Sequence, residues 1–219
     1  MDIVEAINKR KAIRAFRPEP VSKDLLRQII EQALRAPSWA NTQPWEFAIA
    51  TGSKLRQIQE GFMAKREEKP YPDVARPQEY PEPYETRRST AAAAGQTKER
   101  AEARKLENLR NFGAPAVIYL LVGRSFFFQP KGINVWPLYD CGSVVQNIML
   151  LATNNGLGTI AQAQAVIYPD VIRKVLGIPE SKLIALGIAI GYPNWDDPEN
   201  QPRRPREPVD RVAQWYGFD

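Results

Sequence analysis

The chain has 219 residues, 43% of them apolar and 25% charged, with 30 Lys and Arg against 25 Asp and Glu for a net charge of +5. There is no His and a single Cys, Cys141, which excludes Ser-His-Asp and Cys-His catalysis, His-ligated metals, an intrachain disulfide and Cys-ligated zinc or iron–sulfur clusters. A mass of 24.8 kDa predicts one substantial core, with about 10,000 Å² left exposed by a compact fold.

Residues 2–9 read as a short helix with Ile3, Val4 and Ile7 on one side. Its charged, amphipathic character is not that of a signal peptide. No apolar run reaches the roughly 18–20 residues of a membrane span, so a cytoplasmic protein is expected. Ser22 caps a helix running to Ala36, with Leu25, Leu26, Ile29, Ile30, Ala33 and Leu34 at helical spacing. A loop of turn formers, Pro37 to Pro44, leads into a strand from Trp45 to Ala50. Ser53 opens a helix to Lys69. Between residues 70 and 96, Pro70, Pro72, Pro77, Pro81 and Pro83 remove backbone donors, and no regular element is expected. A short alanine run, Ala91 to Ala94, follows. A mixed-charge helix is expected over 97–111, and a branched apolar strand over Pro115–Val122. The most apolar helix spans 137–155, with Gly156 past its end. A strand at 158–163, a helix at 169–176 stopped by Gly177 and a buried strand at 183–190 follow. The proline-rich tail from Gly191 is extended. Helices alternating with strands predict an α+β or α/β domain around a central sheet.

Four segments carry candidate chemistry. Arg10, Lys11 and Arg14, with Arg17 beyond, repel one another unless they are solvated or share an anion such as phosphate. The loop Pro37–Trp45 concentrates Ser38, Asn41, Thr42 and Gln43 between Trp39 and Trp45, a set suited to the edge of a planar heterocycle or to capping the loop itself. Small residues in Gly156-Leu157-Gly158-Thr159-Ile160-Ala161 would let backbone approach a ligand. It is no dinucleotide fingerprint, because it reads G-x-G-x-x-A and follows a helix. Arg203, Arg204 and Arg206 form a basic, extended stretch near the end of the chain.

In that order, the four segments resemble the FMN-dependent nitroreductase family. Arg10-Lys11-Ala12-Ile13-Arg14-Ala15-Phe16 is similar to its R-R-S-x-R-x-F segment, with Lys11 for the second Arg and Ala12 for the hydroxyl residue. Ala36, Pro37, Ser38, Asn41, Gln43, Pro44 and Trp45 match A-P-S-x-x-N-x-Q-P-W in full. The G-L-G-T segment, the strand ending in G-Y and the final R-x-R-x-P also match, over residues 1–60 and 112–212. The tyrosine- and proline-rich insertion at 61–111 looks most like the nitrobenzoate-reductase branch.

The resemblance implies a single α+β domain with a mostly antiparallel central sheet flanked by helices. It implies a homodimer that exchanges a C-terminal arm, residues 192–219, and holds FMN at the interface. Arg10, Lys11, Ala12, Arg14, Arg204 and Arg206 would surround the FMN phosphate. Pro37, Ser38, Trp39 and Asn41 would come from the partner subunit to the ring. Ala161, Gln162 and Ala163 would face the ring, and Arg110 the ribityl or ring region. NADPH or NADH would be the electron donor and a nitroaromatic the acceptor, with no side chain acting as the catalytic acid or base. The insertion would form a lid over the ring, and Tyr84 within it and Phe127 and Trp136 beyond it are aromatic candidates for the substrate. Arg87 and Arg88 are candidates for a substrate carboxylate, or else are solvated. A dehalogenating, iodotyrosine-deiodinase-like activity ranks second. A nucleic-acid-binding role ranks last, because Glu99, Glu102 and Glu107 interleave with the cations of residues 98–110.

Overall fold

The computed structural model describes residues 1–92, 97–201 and 204–218. Arg203, and Ala93 and Ala94 of the alanine run, lie outside the described residues. In chain order the elements are α1 (Ile3–Lys9), α2 (Lys23–Ala33), β1 (Trp45–Thr51), α3 (Gly52–Ala64), α4 (Tyr84–Ala92), α5 (Lys98–Leu109) and β2 (Ala116–Gly123). There follow a one-turn helix α6 (Arg124–Phe127), β3 (Phe128–Gln129), β4 (Gly132–Ile133) and α7 (Trp136–Asn154). Then come β5 (Gly158–Gln162), α8 (Pro169–Leu176), β6 (Lys182–Gly191) and a short α9 (Val209–Val212).

The sheet has four strands in the order β1-β2-β6-β5, and every pairing is antiparallel. Because side chains alternate across a strand, β2 divides its residues between two cores. Ala116, Ile118, Leu120 and Val122 face α2 and α7, where they meet Leu26, Ile29, Val144 and Ile148. Val117, Tyr119 and Leu121 face α3 and α8, among Ile58, Phe62, Tyr168 and Ile172. Helices therefore cover both faces, which is why β2 and β6 read as continuous apolar runs rather than alternating ones.

Local signals in the sequence explain most boundaries. Ser22 accepts the Leu25 amide at 3.2 Å and starts α2. Gly177 ends α8 with φ of 71°, a left-handed conformation that glycine adopts without steric cost. Three elements depart from the reading above. The proline-rich stretch ends at Pro83, and α4 starts at the next residue. Gly132 turns a small β3–β4 hairpin with φ of 127°. The tail carries one helical turn, α9, where an extended chain was expected. Within the run Phe126-Phe127-Phe128, Phe127 is buried in the first core, whereas Phe128 on β3 is exposed.

The insertion is pinned at its first half. Asp73 accepts from Arg173 Nη2 at 2.7 Å and from the Ile184 amide at 2.8 Å, with Arg124 at 3.4 Å. Tyr71 donates to Asp170 at 2.6 Å and accepts from Lys65 at 2.6 Å. Total exposed surface is 13520 Å², well above the roughly 10,000 Å² of a compact chain of this mass. The unburied groups include Ile3, Val4 and Ile7 on α1 and Trp215, Tyr216 and Phe218 in the tail.

Candidate functional site

Strand β5 lies at an edge of the sheet, and the segment after α1 covers it. The Ile13 amide donates to the Thr159 carbonyl at 3.0 Å, and Ala12 bridges Thr159 in parallel. Ile13 is buried against Gly158: a Cβ there would lie 2.4 Å from Ile13 Cγ1 and 2.8 Å from Pro193. The small residue at 158 thus admits the chain's own N-terminal segment. The sequence suggested a ligand as the reason for it; packing of Ile13 is the physical one.

Alternation about Ile13 turns Ala12 and Arg14 away from that contact. Asn200, 1% exposed, then ties the far end of the chain to this segment. Its side chain accepts the Arg14 amide at 2.7 Å and donates to the carbonyls of Ala15 and Asn194, both at 2.7 Å. The residues beyond Asn200 are thereby brought beside those following α1. Arg10, Lys11, Ala12, Arg14, Arg204 and Arg206 line one cleft of 360 Å³, together with Gln146 of α7. Two segments at least 190 residues apart in sequence, both expected at a phosphate, meet there.

The cleft gathers several cations. Arg14 is half-buried, and its guanidinium makes no hydrogen bond among the described residues. Burial, with Arg104 and Arg204 nearby and only partial relief from Glu199, pulls its pKa down to about 10. Arg10 is lowered too, by burial and then by Arg206. Both remain charged at neutral pH, and a phosphate would relieve the repulsion while accepting their forked donors. Lys11 also stacks on the Trp195 ring, 5.2 Å from its centroid.

Ala161 and Ala163 are exposed beyond Thr159, and Gln162 between them is buried. The Gln162 side chain donates to Asn108 Oδ1 at 2.6 Å and accepts from Asn111 at 3.3 Å. Of this trio, the two alanines are open to a ligand, and the glutamine anchors β5 to the end of α5. Arg110, expected near the cofactor, instead pairs with Glu107 at 3.1 Å and is exposed. From α5, Arg100, Ala103, Arg104 and Glu107 line an adjoining 400 Å³ cleft together with Arg14 and Glu199.

The Pro37–Trp45 loop does not line this basic cleft of its own chain. It rests at the start of α7. Trp39 stacks on Trp136 with centroids 4.8 Å apart, and its amide donates to Asp140 Oδ2 at 3.1 Å. Ser38 Oγ accepts the Gln43 amide at 3.0 Å, and Gln43 donates to Asn41 Oδ1 at 3.2 Å. Ala40, Asn41 and Gln43 all have positive φ. Pro37, Trp39 and Asn41 are exposed and Ser38 is half-exposed.

Among the aromatic candidates, Tyr84 is exposed with Arg87 over its ring, Trp136 is part-covered by Trp39, and Phe127 is buried in the core. Arg87 pairs with Glu207, and Arg88 with Glu85. Both are thus ion-paired within the chain, where the sequence left open a substrate carboxylate or solvent. Four cations of α5 and its C-terminal cap are likewise paired: Lys105 with Glu102, Arg110 with Glu107, and Arg100 and Arg104 with Glu199. That is an ion-paired helix rather than a nucleic-acid stripe. Gln146, Asn200, Asp140 and Arg104 were not singled out from sequence. Each lies in an ordinary helix or loop pattern and acquires its place only by packing.

A family model described as the nitroreductase family matches residues 7–192. A 4-nitrobenzoate reductase of Nocardioides sp. is 29% identical over 94% of this chain and 86% of its own length. Nitroreductase NfnB of Mycolicibacterium smegmatis is 31% identical over 91% and 86%. The crystal structure of the FMN and NADPH-dependent nitroreductase NfnB from "sphigopyxis sp. strain HMH" superposes with a TM-score of 0.89 at 29% identity, covering 100% of both chains.

Proposed function

The chain belongs to the nitroreductase family, and from that premise we propose that it is an FMN-dependent NAD(P)H oxidoreductase that reduces nitroaromatic or similarly electron-poor acceptors. One observation carries the reading. Arg10 and Arg14 from one end of the chain, and Arg204 and Arg206 from the other, converge unneutralised on one cleft beside the edge strand that exposes Ala161. The names of the relatives, nitrobenzoate reductase and FMN- and NADPH-dependent nitroreductase, agree with it.

FMN, when bound, supplies the hydride chemistry, accepting electrons from the nicotinamide and passing them to the acceptor in a ping-pong cycle. The residues of the chain hold and shield it. The four arginines and Lys11 bind the phosphate. The loss of a hydroxyl at Ala12 removes one hydrogen bond of several, and the charged contacts carry most of the affinity. Backbone amides around Ala161–Ala163 would face the ring, where a donor would steady developing negative charge. Protons come from water, consistent with the absence of His.

The ring site is completed by a second copy of the chain. The loop residues Pro37, Ser38, Trp39 and Asn41 lie outside the phosphate cleft of their own subunit, so in this reading they serve the partner's. The C-terminal arm supports the same assembly. Trp215 is 65% exposed and Phe218 79% exposed, and an apolar groove of 620 Å³ runs between α2 and the free edge of β1, lined by Val21, Leu26, Ile30, Leu34 and Ile49. Burying the arm on a partner would remove both exposures. Tyr84 and Trp136 are proposed to border the acceptor; the buried Phe127 would act only by backing the hairpin.

The test is the visible spectrum of the purified protein under argon. A flavin spectrum that bleaches with NADPH or NADH and recovers with a nitroaromatic is expected. A colourless protein that takes up no added FMN would refute the reading.

A further inference from the structure

Asp140 is a buried carboxylate that the proposed chemistry does not use. It is 3% exposed and makes no ion pair among the described residues. A buried charge without a cation is costly, and Asp140 Oδ2 accepts the Trp39 amide at 3.1 Å. Trp136 lies four residues earlier, on the same face of α7, and its ring carries Trp39 at 4.8 Å. The first turns of α7 therefore hold Trp39 at two points, by its ring and by its backbone.

The loop needs such a hold. Ala40, Asn41 and Gln43 occupy the left-handed region, at φ of 48°, 57° and 44°, which disfavours residues with a Cβ. The other hydrogen bonds of residues 38–43 close within the loop: Asn41 to Ser38, Thr42 to Trp39, Gln43 to Ser38 and to Asn41. The bond to Asp140 is what ties this strained turn to a rigid helix.

We propose that Asp140 is a positioning residue for the flavin-ring loop, accepting the Trp39 amide so that Ser38, Trp39 and Asn41 are presented in one conformation to the ring. The proposal rests on the reading that this loop meets the cofactor. It gives α7 two tasks: Gln146 borders the phosphate cleft, and Asp140, further up the same helix, sets the loop.

Asp140→Ala, Asp140→Asn and Trp136→Phe are compared with the full-length protein. Asn keeps an acceptor oxygen and loses the charge. Near-ultraviolet circular dichroism of the flavin-free protein reads the Trp39–Trp136 pair, which Trp136→Phe identifies by its loss. FMN titration by fluorescence reads the loop's contribution to the cofactor. Asp140→Ala should lose the coupled tryptophan signal and bind FMN about tenfold more weakly, as for a lost charge-assisted bond. Asp140→Asn should keep the signal and bind within a few-fold of wild type. An Ala variant that keeps both signal and affinity overturns the proposal. So does an Asn variant as impaired as an Ala variant that remains folded. If the Ala variant does not fold, the Asn variant decides alone, by keeping or losing the signal. A wild-type protein that binds no FMN would instead refute the cofactor reading, and the dichroism would still test the role of Asp140.

Discussion

Arg87 of α4 donates from Nε to Glu207 Oε1 at 3.1 Å, joining the insertion to the arm one residue beyond Arg206. Arg104 of α5 meets Glu199 at 3.9 Å in the same way. The segment 199–207 thus presents carboxylates to the insertion and guanidinium groups to the cleft. Both partners of the Arg87–Glu207 pair are partly exposed, so the pair contributes about 0–1 kcal/mol. Arg87→Ala should shift the melting temperature by no more than about 2–4 °C, while chymotrypsin cleaves faster at Tyr84. Unchanged cleavage would mean that the pair does not restrain α4.

Arg206→Ala and Arg14→Ala should each weaken FMN binding. A lost charge-assisted bond to phosphate costs about 1.5–3 kcal/mol, roughly 10- to 150-fold in Kd. Flavin content equal to wild type in both variants would contradict the phosphate assignment.

Deleting residues 204–219 removes two of the phosphate arginines and the exposed Trp215, Tyr216 and Phe218. The product should be a flavin-free monomer or an insoluble chain, seen by size exclusion with light scattering. A soluble, flavin-loaded dimer would show that the arm has another role.

Asp73→Ala should be strongly destabilising. Asp73 and Arg173 are 9% and 8% exposed, and removing one partner of a buried pair costs about 3–5 kcal/mol. Urea unfolding at pH 7 measures it. A loss below about 1 kcal/mol would place the pair with ordinary surface bridges.

Cys141 should be inert in the folded protein. Burial, and then the neighbouring Asp140 charge, push its thiol up to about 12. At pH 8 iodoacetamide should label the unfolded chain and spare the native one. The sign for stability follows: the folded state keeps a proton that the unfolded thiol loses above about pH 8.5, so this group's contribution declines as pH rises from there toward 12.

Much of the scaffold was legible because its causes are local. The helical spacing of Leu26, Ile29 and Ala33, the Ser22 cap, the Gly177 stop and the branched runs of β2 and β6 act within a few residues. α4 was missed because five prolines were allowed to colour a stretch that the last of them, Pro83, already ends. The β3–β4 hairpin was missed because two-residue strands carry no periodicity.

By itself, the sequence determined the order of helices and strands, the exclusion of His- and Cys-based chemistry, and the four segments by which the family is recognised. Each depends on residue type or on neighbours a few positions away. Only the tertiary structure decided which cations share a cleft. It turned Arg110 outward to Glu107, brought Arg104 toward Arg14, and used Asn200 to set Arg204 beside the residues that follow α1. It also showed that Gly158 is small to admit Ile13, that Gln162 anchors α5, and that Asp140 holds Trp39. Apart from the local Arg110–Glu107 pair, these are contacts between residues about 50 to almost 190 positions apart. No local pattern encodes them, because they exist only once β5 has an edge to cover and α7 has a first turn for a loop to rest on.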